Sequence, residues 1–237
     1  MNVYEQEIVE TIESICTHNI YDIFADFVEM SALTLIKASM EHGQSRQKAD
    51  VDFKRLVTKY SPNEQEKFSK MFGLLVLSLE EHVRRKNVCD TLGRIFSQLK
   101  VNNKRTGQFF TPASVADLCA RILWDTESLE KEISERGYIL LDEPSCGGGV
   151  MIMAFCQAMI DAGFNPQTQL LVHGMDIDRR CVCMTYLQLS LYGIPAKICH
   201  GNSLTGEIFD TWFTPAYIAD LWNCRRGEMD CYPRKSD

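Results

Sequence analysis

The chain has 237 residues, of which 45% are hydrophobic and 24% charged, a composition that can bury a sizeable core. Its net charge of −7 argues against a protein that grips nucleic acid alone through a large basic face. A clear local basic patch, "KVNNKR" at 100–105, is equally typical of a solvated loop. With no leader-like start and no apolar run of about 18 residues, we expect a soluble, cytoplasmic protein with no membrane segment.

The ten cysteines do not form a metal-binding pattern. There is no C-x-x-C pair, and the C-x-C of Cys181 and Cys183 has no second pair at zinc-ribbon spacing. Cys16, Cys119 and Cys156 fall within apolar patterns, where cysteine behaves as a small hydrophobic residue. The sequence therefore predicts no metal site.

The first hundred residues are predicted to be helical. Residues 4–41 carry apolar side chains at spacings of three and four, which predicts one long helix, and 41–50 form a polar break. Ser61 is a plausible N-cap of a further helix because Glu64 completes a capping box. A short amphipathic helix is predicted over 90–99.

Strands and helices alternate after Lys104. Three short apolar segments are followed by turn residues and read as strands: "GYILLDEP", "QLLVHGMDID" and "AKICHGNSL". The two segments between them, "GVMIMAFCQAMIDAG" and "RRCVCMTYLQLSLYG", read as helices. Such βαβ units form a parallel sheet with right-handed connections, so the carboxyl ends of all three strands lie at one edge, where ligands bind.

The predicted fold is therefore of the α/β class, with three parts. Residues 1–100 form a helical N-terminal region, 101–212 a Rossmann-like unit with a parallel sheet of few strands, and 213–237 a C-terminal tail.

Three glycines stand at the first strand-to-helix turn. Gly147, Gly148 and Gly149 permit positive φ and close approach of a ligand, although a packing turn would need glycines too. The loop lacks the Lys-Ser/Thr ending of a P-loop, and Ile152 breaks the G-x-G-x-x-G pattern. Glu143 at the strand end would repel a pyrophosphate, but it suits an amine or a hydroxyl.

Polar side chains also end the next two strands. Asp176 in "GMDID" can accept hydrogen bonds from ribose hydroxyls, and Asn202 in "HGNSL" can both donate to and accept from an adenine edge. Each residue alone is also typical of a helix cap. At three successive strand ends, these residues together indicate a ligand with a nucleoside and an amine, which favours S-adenosylmethionine over a dinucleotide.

Four motifs in this order resemble the adenine-N6 DNA methyltransferase family: "GQFFTP" (107–112), "EPSCGGG" (143–149), "GMDID" (174–178) and "GNSL" (201–204). Within that family, the motifs resemble those of the modification subunits of type I restriction–modification systems and of short plasmid- or phage-borne homologues. The resemblance implies a Rossmann-like S-adenosylmethionine-dependent methyltransferase fold, here truncated.

The resemblance also implies a role for each matched residue. The methionine end of the cofactor would be lined by Phe110, Thr111 and Pro112. The loop around the amino acid moiety would consist of Glu143, Pro144, Cys146, Gly147 and Gly149. Glu143 would take the ammonium group, Asp176 the ribose and Asn202 the adenine.

The catalytic motif of the family is missing. No Asn-Pro-Pro-aromatic sequence occurs in the chain, and nothing after Leu204 reads as an apolar fourth strand. The nearest candidates for catalysis are Thr214 and Tyr217 in "TPAY". Alternatively, this stretch is a loop and a short helix whose aromatic side chains pack on the core: Trp212, Phe213, Tyr217 and Trp222.

Two functions are compatible with these features. The first is an S-adenosylmethionine-binding member of the DNA adenine-N6 methyltransferase family, associated with restriction–modification or mobile-element DNA. The second is a pseudo-methyltransferase, which binds the cofactor and acts as a regulatory or interaction module without transferring a methyl group. Whether DNA is bound stays open in both; any contact with DNA is expected to involve a partner subunit or an oligomer, because an exposed sheet edge can pair with another chain.

Overall fold

The structure is a computed structural model that describes residues 1–39, 44–99, 111–219 and 222. Phe110, the basic segment 100–105 and the tail from 223 lie outside the described residues. The helices are α1 (Val3–Glu13), α2 (Ile20–Ser39), α3 (Gln44–Val57), α4 (Pro62–Arg84), α5 (Thr91–Gln98), α6 (Ala113–Leu123), α7 (Thr126–Arg136), α8 (Val150–Asp161), α9 (Pro166–Gln169), α10 (Arg179–Tyr192) and α11 (Pro215–Ala219). The strands are β1 (Ile139–Glu143), β2 (Leu170–Asp176), β3 (Ala196–Asn202) and β4 (Glu207–Phe213).

The prediction of one helix over residues 4–41 is wrong, because α1 and α2 are separate helices. The Ser14 hydroxyl donates to the carbonyl of Thr11 at 2.7 Å where α1 ends. Asn19 Oδ1 accepts from the backbone N–H of Asp22 at 3.0 Å where α2 begins. These short side chains offer the backbone a partner outside the helical pattern, and so they interrupt it despite the continuous apolar spacing.

The other helical predictions for this region are largely confirmed. The backbone N–H of Ser61 donates to Glu64 Oε2 at 2.8 Å, as the capping box at the start of α4 requires. The short amphipathic helix predicted over 90–99 is α5, whose apolar residues Leu92, Ile95 and Phe96 are buried, as is Leu99 directly after it. The predicted polar break at 41–50 is wrong in part, since α3 begins at Gln44.

The sheet has the order β1-β2-β3-β4. β1, β2 and β3 are parallel, which confirms the predicted βαβ units, and β4 is antiparallel to β3. The expectation of no fourth strand is wrong. Gly206, with a φ of +75°, allows a tight turn in which its N–H donates to the carbonyl of Asn202 at 2.8 Å. Trp212 is the one fully buried residue of β4, which is why the strand has no apolar run.

The two faces of the sheet pack differently. One face shares a hydrophobic core with α8, α10 and the N-terminal helices through Ile139, Leu170, Val172, Ala196, Ile198 and Trp212. The other face carries a smaller cluster formed by Tyr138, Leu171, Tyr217 and Trp222. Trp212, Tyr217 and Trp222 are thus buried, as predicted for aromatic packing, whereas Phe213 is half-buried. The helices of the described ranges include none long and apolar enough to cross a membrane.

Candidate cofactor site

The glycine loop begins where β1 ends and folds towards β2. Gly147 and Gly149 have φ angles of +52° and +94°, a conformation that glycine adopts without steric cost. The N–H of Cys146 donates to the carbonyl of Met175 at 2.8 Å, and the N–H of Gly149 donates to the carbonyl of Cys146 at 2.8 Å. The loop is therefore attached to the carboxyl end of the neighbouring strand.

Gly174 in β2 gives the loop room to make this contact. A Cβ atom at Gly174 would lie 3.0 Å from Ile198 Cδ1 and 3.5 Å from Cys146 Cβ. Cys146 is buried, and burial raises the pKa of its thiol to about 12. The thiol stays protonated at neutral pH, so Cys146 packs in the loop rather than acting as a nucleophile.

Asp176, the last residue of β2, joins two segments of the site. Its Oδ2 accepts from the N–H of Gly147 at 2.9 Å, and its Oδ1 accepts from the N–H of Asp178 at 2.8 Å. A carboxylate has about four acceptor positions, so roughly two remain for further donors. The structure thus brings the glycine loop and the acid at the next strand end into direct contact.

Two buried side chains of α10 hold the carbonyl groups of the loop. Thr185 Oγ1 donates to the carbonyl of Gly147 at 2.8 Å, and Gln188 Nε2 donates to the carbonyl of Gly148 at 2.9 Å. Both side chains are completely buried. Sequence reasoning missed these residues, although two polar residues three positions apart in an apolar helix were the available signal.

Gln188 also connects the loop to the N-terminal helices. Its Oε1 accepts from the N–H of Leu92 at 3.0 Å, and its Nε2 donates to Asp90 Oδ1 at 3.0 Å. Asp90 Oδ1 accepts in addition from the N–H of Gly93 at 2.8 Å and so caps α5. Burial raises the pKa of Asp90. The side chain of Gln188 therefore binds both the start of α5 and the glycine loop.

Glu143 lies on the same face of the sheet as Asp176. It pairs in register with Gly174, two residues before Asp176, so the alternation of side chains places both acids on one face. Glu143 is half-buried, and its Oε1 accepts only weakly from the N–H of Ser145, at 3.4 Å. Pro144 is exposed in the turn that follows. The Glu143 carboxylate is therefore available to a cationic group.

Asn202 ends β3, but part of its side chain is already engaged. Its Oδ1 accepts from the N–H groups of Leu204 at 3.0 Å and Thr205 at 3.4 Å, which shapes the turn into β4. Its amino group makes no hydrogen bond to the described residues. The side-chain oxygen of Asn202 therefore stabilises the turn between β3 and β4.

The remaining predicted residues lie near the first turn of α8. Thr111 and Pro112 are exposed and line a groove of about 910 Å³ together with Val150, the residue after Gly149. The third residue of this predicted group, Phe110, is outside the described part of the chain.

Sequence reasoning also missed an apolar surface beside Asp176. Ile177 is 61% exposed, although it lies between two acidic residues. His200 Nε2 donates to the carbonyl of Ile177 at 3.1 Å, and the His200 ring contacts the ring of Phe209 with a centroid separation of 5.1 Å. An exposed isoleucine at this position can cover the flat face of a base.

Thr214 and Tyr217 are not brought to this edge of the sheet. Thr214 is completely buried, where its hydroxyl donates to the carbonyl of Ile194 and accepts from the N–H of Ala196, both at 2.9 Å. Ala196 begins the seven-residue β3 that Asn202 ends, a separation of about 20 Å. Tyr217 is 3% exposed. Both residues therefore stabilise the fold at the opposite end of β3.

Within the ranges that the structure describes, no three His, Cys, Asp or Glu residues are grouped to hold a metal ion. What the described residues do form is a Rossmann-like α/β unit with a helical N-terminal region, a glycine loop after β1 and an acid at the end of β2.

The N-6 DNA methylase family model matches residues 87–220, more than half of the chain. The chain belongs to this family, which confirms the resemblance seen in the motifs.

A comparison with solved structures matches the chain to a crystal structure described as a class I S-adenosylmethionine-dependent methyltransferase from Listeria monocytogenes, with a TM-score of 0.42 and 15% sequence identity. The match covers 86% of this chain and 55% of that one, so the chain spans about half the length of that protein. The curated protein sequences contain no significant match.

Proposed function

We propose that the chain binds S-adenosylmethionine at the carboxyl edge of β1, β2 and β3, as a member of the machinery for adenine-N6 DNA methylation. The observation that carries this proposal is the 2.9 Å hydrogen bond from the N–H of Gly147 to Asp176. It joins a loop suited to an amino acid moiety and an acid suited to a ribose in one continuous site.

The residues at this edge fit the groups of that cofactor. Glu143 offers a carboxylate to the ammonium group, and the free acceptor positions of Asp176 suit ribose hydroxyls. The amino group of Asn202 can donate to a ring nitrogen of adenine, while Ile177 covers the base. The cofactor supplies an electrophilic methyl group when it is bound. The two acids disfavour a ligand with a pyrophosphate at the same place.

Isothermal titration with S-adenosylmethionine tests the proposal. Asp176→Ala should weaken binding by about 1.5–3 kcal/mol, because a charge-assisted hydrogen bond to the ribose is lost. Asp176→Asn, which retains one acceptor oxygen, should lose less binding free energy than Asp176→Ala. Asp142→Ala is the matched control, since Asp142 is exposed and alternates to the other face of β1. No binding heat from folded wild-type protein contradicts the proposal.

We infer further that the protein acts on restriction–modification or mobile-element DNA in the cytoplasm, together with a partner subunit or a second copy. The net charge of −7 supports a shared rather than an independent DNA contact. Within the described ranges, no strand pairs with the outer edge of β1, which supports a further chain beside it. Mobility-shift assays with and without the neighbouring gene product test this inference.

A second candidate is cofactor binding without methyl transfer. It is favoured by the absence of Asn-Pro-Pro-aromatic from the 237 residues and by the burial of Thr214 and Tyr217 away from the site. Transfer of a tritiated methyl group to unmethylated DNA separates the two functions. Incorporation by the chain alone excludes the second candidate, whereas incorporation only with a partner indicates a shared active site.

A further inference from the structure

Arg179, in the first turn of α10, joins three acids from separate elements. Its Nε donates to Glu29 of α2 at 2.8 Å and its Nη2 to Asp52 of α3 at 2.9 Å. Its Nη1 lies 3.9 Å from Asp210 of β4, and the guanidinium is 5.3 Å from the ring centroid of Trp212. One arginine therefore connects α10 to two N-terminal helices and to the edge of the sheet.

This cluster is more protected than an ordinary surface ion pair. The side chains of Arg179, Glu29 and Asp52 are 24%, 14% and 21% exposed. The guanidinium is planar and uses two of its nitrogens on two carboxylates, which fixes its direction as well as its charge. A partly desolvated network of this kind constrains geometry more strongly than an isolated exposed pair.

The cluster lies three residues from the proposed ribose carboxylate. Asp178 caps α10 by accepting from the N–H of Arg180 at 2.9 Å, and its own N–H donates to Asp176 Oδ1. Arg180 Nε also donates to Asp178 at 2.9 Å, and its guanidinium lies 4.9 Å from the ring centroid of Tyr21 in α2. The position of the first turn of α10 thus determines the position of a donor to Asp176.

The turn after Asp176 is held from two sides. On the side of the sheet, His200 donates to the carbonyl of Ile177. On the side of the N-terminal helices, Arg179 binds Glu29 and Asp52. Removal of Arg179 would eliminate the ion pairs that join the first turn of α10 to α2 and α3, and would leave the contact of Arg180 with Tyr21 as a link to α2.

We propose that Arg179 is a positioning residue for cofactor binding, through which the helical N-terminal region sets the affinity of the ribose site. This inference rests on the proposed binding of S-adenosylmethionine at Asp176. It gives the N-terminal helices an indirect role in the site, because Arg179 transmits the position of α2 and α3 to the first turn of α10.

Titration of Arg179→Ala with S-adenosylmethionine tests the inference. We expect its Kd to rise roughly 3- to 30-fold, the range found for residues that couple to a site without touching the ligand. Arg179→Lys should recover only part of the affinity, because an ammonium group cannot bind two carboxylates as a planar fork does. Glu29→Gln should change the Kd in the same direction.

Lys37→Ala is the matched control. It removes the 2.7 Å ion pair between α2 and α3, Lys37 to Asp50, which does not involve α10. Its Kd should equal that of the wild type. Should Arg179→Ala fail to fold, Glu29→Gln, which retains the arginine, takes its place in the comparison.

Repeating the Arg179→Ala change in an Asp176→Ala variant distinguishes a positioning role of Arg179 from a general loosening of the fold. In Asp176→Ala, the ribose carboxylate is gone, so the added Arg179→Ala change should alter the Kd by less than about twofold. An equal loss in both backgrounds would overturn the inference, as would a wild-type Kd in Arg179→Ala. Wild-type protein that binds no cofactor refutes the proposed function and this inference with it, whereas normal binding by both wild type and Arg179→Ala refutes the inference alone.

Discussion

The side-chain amide of Gln188 donates to the main-chain carbonyl of Gly148 at 2.9 Å, and its oxygen accepts from the N–H of Leu92 at 3.0 Å. A completely buried residue in the middle of α10 thereby holds the glycine loop and the start of α5 at once. Such a side chain is costly to remove, because the carbonyl of Gly148 and the N–H of Leu92 would lose these hydrogen bonds in the protein interior.

Gln188→Leu should lower the free energy of unfolding by about 2–3 kcal/mol, measured by urea denaturation, since a buried network is broken. Gln167→Leu is the matched control. Gln167 is exposed, and its side chain donates a single hydrogen bond, to the carbonyl of Tyr192 at 2.9 Å. Its replacement should cost less than about 1 kcal/mol. If both variants lost the same free energy of unfolding, the buried hydrogen bonds of Gln188 would not stabilise the fold more than an exposed one does.

Gly149→Ala should destabilise the fold more than Gly137→Ala. Both glycines have positive φ, +94° and +87°, and an alanine in this region costs about 1–2 kcal/mol. A Cβ at Gly137 meets nothing within 4 Å, whereas at Gly149 it lies 3.1 Å from Thr185 Oγ1.

Urea denaturation of the two alanine variants measures this difference, because the backbone strain is common to both. Titration with S-adenosylmethionine should show weaker binding in Gly149→Ala alone, since Gly137 lies at the end of α7, outside the loop. Identical stabilities and affinities would mean that the contact with Thr185 does not constrain the loop.

The sequence predicted the features of this site that depend on local patterns. The glycines after β1, Asp176 at the end of β2 and the parallel strands follow from residue type and spacing along a short stretch. Thr185 and Gln188 could not be assigned in this way, because their partners are carbonyl groups 38 and 40 positions away. Their burial and spacing mark them as polar residues in a core, but only the packing of α10 against the loop identifies what they bind.

β4 could not be predicted for a different reason. Ile208 and Phe209 are 51% and 48% exposed, and Trp212 alone is fully buried, so the strand lacks the alternation on which a sequence prediction depends. Its pairing with β3 relies on the turn at Gly206 and on Asn202, which shapes that turn. The turn-shaping contact of Asn202 was therefore not visible in the sequence.

Thr214→Val should destabilise the protein without changing its affinity for S-adenosylmethionine. The buried hydroxyl bonds to the backbone of Ile194 and Ala196, and valine leaves both groups unsatisfied, at a cost of about 1–3 kcal/mol. The comparison of urea denaturation with calorimetric titration tests both parts. A variant of normal stability that binds or transfers less would instead place Thr214 in the active site.

A charged cluster in the N-terminal region, formed by Glu5, His82 and Arg94, predicts that the free energy of unfolding depends on pH. His82 Nε2 lies 2.8 Å from Glu5 Oε1, and both side chains are buried. The thiol of Cys89 and the carboxylate of Glu5 raise the pKa of His82 from 6.5 to about 9. The folded state therefore binds a proton more tightly than the unfolded state does.

A raised pKa of this kind contributes stability that is fully present below pH 6.5 and is lost as the pH rises through 9. The free energy of unfolding of the wild type should thus fall between pH 6.5 and pH 9.5, by on the order of 2 kcal/mol. In His82→Gln, which cannot take up the proton, the decline over the same interval should be much smaller.

Urea denaturation of both proteins at pH 6.5, 8 and 9.5 gives the comparison, in which titration of the other groups is common to both. Parallel declines would mean that His82 is not protonated in the folded protein, and that Arg94, whose Nη2 lies 2.8 Å from His82 Nε2, alone neutralises Glu5.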